Sequence, residues 1–180
     1  MDMDLVYSNN INHELVSYAD AGYLFDPYKC WSQTCYLFMC GIIVISWIST
    51  KKTLVITLSN HAKILAIHKA SWECVWLRSM TQYIHGSCGF SSNRGTPTIL
   101  YEDNIACMAQ LKGGCIKEDG TKHISPKFVF THDFDKCGDG DVQRIHSKDN
   151  LVGLFIKALP TTMFAILQCN IGMWQLKNLR

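Results

Sequence analysis

Between Leu54 and Tyr83 a short alternating run, Leu54, Ile56 and Leu58, gives way to the longest helix signal in the chain, about twenty residues beginning at Ser59 or Asn60. Ala62, Ile64, Leu65, Ile67, Ala70, Val75, Trp76, Leu77 and Met80 project nearly all round its axis and leave no clean solvent face. A helix of this kind is covered on most sides, as when it lies on a sheet beneath neighbouring helices, so the stretch reads as the spine of the fold. Its start is anomalous. With Asn60 as N-cap, Lys63 takes the third helical position, where a glutamate would close a capping box and suit the positive end of the helix dipole.

A chain of 180 residues with 48% hydrophobic content and 18% charge can bury one sizeable core, which predicts a polar tail over residues 1–13 and a single domain over residues 14–180. The formal charge of +2 does not by itself argue for nucleic acid. The nine cysteines form no C-x-x-C pair and an odd count cannot all be bridged. The opening MDMDLVYSNN lacks the regions of a signal peptide, so an intracellular, reducing location, cytoplasmic or nuclear, is expected, with most cysteines as buried thiols. The alternative, zinc on Cys30, Cys35 and Cys40 or near Cys115 and His123, has no zinc-ligand spacing behind it.

ELVSYADAGYLF reads as a strand with Leu15, Ser17 and Ala19 on one side and Val16, Tyr18 and Asp20 on the other. The residues leave two readings of Asp20 open: a turn residue ahead of Gly22, or a functional carboxylate held on a rigid sheet. The most apolar run, TCYLFMCGIIVISWIST, raises the question of a membrane span, but its uninterrupted part, Cys35 to Ile45, is about half the ~20 residues needed. Two buried strands joined near Gly41 fit its β-branched and aromatic content, and with Leu54 to Leu58 they would make an antiparallel meander leading into the spine helix.

After the helix, HGSCGFSSNRGTP is a loop, and a short strand, Ile99 to Tyr101, ends in Glu102 and Asp103 before Asn104 opens the helix IACMAQLK. Asp103 is either a helix cap or an active group at the carboxyl end of a strand. Glu102 is expected to point away from it if the strand continues that far. Lys112, Lys117, Lys122, His123 and Lys127 form either a solvated face or a set of phosphate contacts. Phe128, Phe130 and Phe134 are expected to anchor a helix after Pro126. DVQRIHS follows as a last strand, then a short helix capped by Asp149 and stopped by Pro160, then a terminal helix through TTMFAILQCNIGMWQL.

Three antiparallel strands followed by alternating helix and strand is the element order of the ribonuclease H-like fold, an α/β architecture with a mixed five-stranded sheet flanked by helices. The segments YADAGYLFDPYKCWSQTCYLF, ISWISTKKTL, LSNHAKILAIHKASWECVWLRSM, ILYEDNIACMAQLKGG, TKHISPKFVFTHDF and DNLVGLFIKALPTTMF, spread over roughly Glu14 to Leu179, together resemble the C-terminal ribonuclease H domain of copia-type LTR retrotransposon polyproteins, especially those of plants.

The resemblance implies a hydrolase that removes the RNA strand of an RNA:DNA hybrid during reverse transcription, preceded in its polyprotein by a polymerase portion absent from this chain. With the apolar run too short to span a bilayer, no membrane association is expected. In such enzymes four carboxylates hold two magnesium ions that activate water and stabilise the leaving oxygen. Asp20 matches the aspartate of the family's Y-A-D-A, and Asp103 that of Y-x-D-N, as catalytic and metal-binding residues. The glutamate of N-H-A-E-I-L falls on Lys63, however, and the last aspartate of N-L-A-D-L-F-T-K falls on Gly153. Glu73, the only acid in the spine helix, is about 15 Å along the axis from Lys63. Asp149, about one turn from Gly153, is the one candidate stand-in. A pattern of four acids is thus reduced to Asp20 and Asp103 opposed by Lys63, which is expected to form an ion pair with one of them and to leave the domain weakly active or inactive, with magnesium binding weak or lost. The alternative reading is a non-catalytic nucleic-acid-binding or structural domain of the same fold.

Overall fold

The computed structural model describes residues 3–5, 14–26, 31–52, 58–89, 96–114, 116, 122 and 124–175. In chain order these form β1 (Met3–Leu5), β2 (Leu15–Asp26), β3 (Trp31–Cys40), β4 (Ile43–Lys52), α1 (Ser59–Cys88), β5 (Thr98–Glu102), α2 (Ile105–Gly113), α3 (Ser125–Lys136), β6 (Gly140–Arg144), a 3₁₀ turn (Leu151–Phe155), α4 (Thr161–Asn170) and β7 (Met173–Gln175). Five strands make one mixed sheet in the order β4-β3-β2-β5-β6. β2 runs antiparallel to β3, and β3 to β4, whereas β5 is parallel to both β2 and β6.

The run that resembles a membrane span is β3 and β4, turning at Gly41, whose φ of 63° suits a residue without a Cβ. β3 is apolar on consecutive residues because both of its faces are covered. Tyr36 and Phe38 join the core beneath α1, while Cys35, Leu37 and Met39 join a second cluster with Val152 and Leu167. No described helix is long and apolar enough to cross a membrane.

Several boundaries differ from expectation. α1 runs for 30 residues from Ser59, one of the two expected starts, with Leu58 instead of Asn60 in the cap position and giving no side-chain cap bond. Asn60 therefore lies inside the first turn, and its amide donates to Gln110 on α2 instead of capping. Of the strand expected at Leu54 to Leu58, residues 54–57 lie outside the described set. The covering of α1 holds for its first half, where His61, Ala62, Ile64, Leu65, Ala66 and Ile67 are buried, but Trp72, Val75, Trp76, Met80, Tyr83 and Ile84 are exposed.

The 3₁₀ turn is capped by Asn150, not Asp149. Asn150 is fully buried; its Oδ1 accepts from the Val152 amide at 3.3 Å while its Nδ2 donates to the Ala19 carbonyl at 3.0 Å. One side chain thus satisfies the helix start and ties it to the central strand, which the exposed Asp149 does not do. The terminal helix stops at Asn170, and Gly172, with φ 79°, lets the chain turn into β7. β7 pairs antiparallel with β1, so Met3–Leu5, inside the segment expected as a tail, forms a two-stranded sheet with the chain's other end.

Candidate functional site

Strand register brings the first two acids together. Parallel pairing sets Tyr18 of β2 opposite Tyr101 of β5, so two residues further on Asp20, on β2, lies level with Asp103, just past the end of β5. Asp20 is paired with Cys35 in the middle of β2 and is fully buried, which removes the turn reading. Asn104, accepting the Cys107 amide at 2.9 Å, is the cap of α2, which leaves Asp103 free of that role.

Glu102 corrects the expectation that it points away. β5 ends at Glu102, so the alternation of side chains does not extend to Asp103. The Glu102 Oε1 curls over the corner and accepts the amides of Asp103 at 3.1 Å and Asn104 at 3.2 Å. Asp20, Glu102 and Asp103 each place a carboxylate oxygen within 4.8 Å of the others.

Two ammonium groups fill this cluster. Lys63, in the second turn of α1, hydrogen-bonds Asp20 Oδ1, reaches Asp103 Oδ1 at 2.7 Å and lies 3.3 Å from Glu102 Oε1. Lys157, just beyond the 3₁₀ turn, lies 2.9 Å from Asp20 Oδ2 and 2.9 Å from Asp103 Oδ2. It also donates to the Ser147 hydroxyl at 2.7 Å. Sequence reasoning anticipated the Lys63 pair and missed Lys157; the available signal was a lone cation four residues after Gly153, at the end of an apolar segment.

The electrostatics follow from burial against pairing. Burial pulls the Lys63 ammonium down, but Glu102, Asp20 and Asp103 outweigh it and hold Lys63 above its ordinary value. Asp103 is pushed up by burial and more strongly down by Lys63, Lys157 and Ser147, so it lies well below the usual carboxylate range. Full burial, with Asp20 and Asp103 nearby, raises Glu102 far above that range in spite of Lys63. Its Oε2 is buried without a hydrogen-bond partner among the described residues. Three acids and two ammonium groups leave one formal negative charge.

Magnesium requires near-octahedral oxygen ligation at about 2.0–2.1 Å and keeps several waters. Here the facing oxygens of Asp20 and Asp103 are already taken by ammonium nitrogens. The residues present do not fit a two-ion centre. Gly153 supplies no side-chain oxygen; a Cβ there would meet the Lys157 Cδ at 3.6 Å, so this position faces the same cation. Asp149 is exposed and outside the cluster.

Of the residues expected to touch phosphates, Lys112 and Lys122 are exposed, and Lys127 is half-buried beside His68 and Lys52. Lys117 and His123 lie outside the described residues, as do Cys30 and Cys115 of the zinc alternative. Cys35 is buried and bonded to the Ser49 hydroxyl at 3.2 Å, while Cys40 is a half-buried free thiol.

No family model matches the chain. Among solved structures it is similar to the N-terminal RNase H domain of rv2228c from Mycobacterium tuberculosis, at 10% identity and a TM-score of 0.52, covering 87% of this chain and 96% of that one. The fold is ribonuclease H-like. RNase H1 from the archaeon Halobacterium salinarum aligns at 12% identity over 77% of this chain and 90% of its own, TM-score 0.46. LC11-RNase H1, isolated from compost, aligns at 12% over 88% and 92%, TM-score 0.49. In the ribonuclease H-like sheet of this chain the three carboxylates stand at the corner where β5 gives way to α2, outside the end of the strand, where open α/β sheets place their ligands.

Proposed function

We propose that this chain is the ribonuclease H domain of a copia-type retrotransposon polyprotein, built to lie on an RNA:DNA hybrid beside a polymerase portion, and that its hydrolytic activity is impaired. The fold and the carboxylate corner support the line of descent. The observation that carries the impairment is the pair of lysines: Lys63 and Lys157 each bridge Asp20 and Asp103, where hydrolysis would need divalent cations and water. Two ammonium groups neutralise the acids but neither lower the pKa of a bound water nor supply open coordination positions, so the fold is kept and the hydroxide source is lost.

The test is cleavage of an end-labelled RNA:DNA hybrid with magnesium or manganese. The unmodified chain is expected to leave the hybrid intact, and Lys63→Glu combined with Gly153→Asp to gain metal-dependent cleavage that Asp20→Asn abolishes. Cleavage by the unmodified chain that Asp20→Asn removes would overturn the reading. If neither form cleaves and both bind hybrid with a steep salt dependence, the non-catalytic binding domain is the better description.

A further inference from the structure

A groove of about 710 Å³ runs along α1 on the side of β4, its floor made by Tyr36 and Ile48 and its wall by His68, Lys69, Trp72 and Trp76. It is not part of the carboxylate site. Lys69 and Trp72 follow Lys63 by six and nine residues, about 9 and 14 Å along the axis and rotated to the far side of the helix at 3.6 residues per turn.

Two chemistries meet in the groove. The first is positive charge: Lys69 lines the groove, and Lys52 at the end of β4 lies close enough to feel both Lys69 and Lys127, in the first turn of α3. No carboxylate among the described residues forms an ion pair with any of the three. Glu73, which also lines the groove, is engaged by the Ser46 hydroxyl at 2.6 Å. Burial first, and then the neighbouring Lys69 and Lys127, hold Lys52 down to about 8. The second is aromatic surface: Trp72 and Trp76, four residues apart on one face of α1, are 62% and 57% exposed. Trp72 is held in orientation by Phe130 of α3, stacked at 5.7 Å and 26°.

We propose that this groove binds single-stranded nucleic acid, with Lys52, Lys69 and Lys127 taking backbone phosphate and Trp72 and Trp76 stacking bases. A polyanion relieves the repulsion among the lysines, and oriented exposed indoles beside a cationic end are the arrangement by which single strands are held without sequence preference. A duplex buries the base faces that the indoles would meet. The inference rests on the groove's own chemistry and not on the hybrid reading, so failure of either leaves the other standing.

The experiment is fluorescence anisotropy of a labelled oligothymidylate with the full chain, titrated over a range of salt. Trp72→Ala is expected to weaken binding about tenfold, one stacked base being worth about 1–3 kcal/mol. Lys52→Gln with Lys69→Gln should lower the slope of log affinity against log salt by about 1.4, at about 0.7 per neutralised phosphate. Lys136→Gln, an exposed charge elsewhere on α3, should leave the affinity at the wild-type level. Equal affinity of wild type, Trp72→Ala and the lysine pair overturns the proposal, as does a loss from Lys136→Gln matching that of the groove lysines. Should a groove variant fail to fold, photocrosslinking of a 5-bromodeoxyuridine oligonucleotide to the unmodified chain decides instead. Adducts on the peptide bearing Trp72 support the groove, and adducts confined to other peptides overturn it.

Discussion

Lys157 and Asp103, 54 residues apart in sequence, meet at 2.9 Å, and because Lys63 holds the other oxygen of Asp103 at 2.7 Å the carboxylate carries one ammonium on each side. The two cations differ in exposure, 12% for Lys63 and 30% for Lys157, around an Asp20 that has none. Lys63→Met is therefore expected to cost about 3 kcal/mol, since it strips a buried acid of its partner, and Lys157→Met about 1 kcal/mol, since water can replace a more exposed ammonium. Urea unfolding of the two variants side by side measures the difference. Equal costs would mean that Lys63 is no more buried in effect than Lys157.

How far this corner was legible in the sequence depends on the residue. Asp20 and Asp103 were legible only through the family resemblance, since the residues alone left a turn residue and a helix cap as open readings, and it is the strand register that brings the two together. Lys63 was legible as a cation that offends the helix dipole, but only the family resemblance set it beside the acids. Glu102 was not: alternation predicts its direction only while the strand lasts, and β5 ends on it, letting its carboxylate turn back to two backbone amides. Lys157 escaped because its position depends on the 3₁₀ turn and on the buried Asn150 that anchors that turn to β2, a tertiary contact 131 residues long. The mixed five-stranded sheet was read correctly from element order, whereas the limits of α1 and α4 were set by contacts and glycine conformations that periodicity does not report.

Thermal unfolding with and without magnesium separates a metal site from an ion-paired one. A ligand that binds only the folded state raises its stability by mass action. The unmodified chain should show no upward shift of Tm with added magnesium. Lys63→Glu combined with Gly153→Asp should melt lower without metal, because five acids then face Lys157 alone, and should recover with it. A magnesium-dependent rise of Tm in the unmodified chain that Asp103→Asn removes would contradict the ion-paired description.

Asn150→Ala should destabilise the fold by about 1–3 kcal/mol, the cost of an unmet buried carbonyl at Ala19 together with the lost cap on Val152. Asp149→Ala, one residue earlier and exposed, should stay within about 0.5 kcal/mol of wild type. Chemical denaturation of this adjacent pair checks which of the two side chains holds the turn.

Gly140 opens β6 directly against Phe134, and a Cβ placed there would come within 1.9 Å of the ring. Phe134 is itself buried in the core of α3, so the ring cannot move without disturbing its neighbours. Gly140→Ala is expected to cost about 1–3 kcal/mol by overpacking. Adding Phe134→Leu should make the alanine less costly in a double-mutant cycle, as the two residues share one space.

His68 gives stability a pH dependence whose sign can be worked out. Burial first, then Lys127 and Lys52, hold the imidazole down to about 4, against about 6.5 in an unfolded chain. Phe130 packs edge-on against the ring at 5.3 Å, which leaves a new imidazolium little room to reorient. Because the folded value is depressed, the stabilising contribution is fully present above about pH 6.5 and is lost as pH falls from there through about 4, the unfolded chain binding a proton that the folded one refuses. The urea midpoint should therefore decline below about pH 6.5 in the unmodified chain and stay flatter in His68→Gln, most clearly above about pH 5 where few carboxylates titrate. Identical pH profiles for the two proteins would show that His68 is as easily protonated in the fold as outside it.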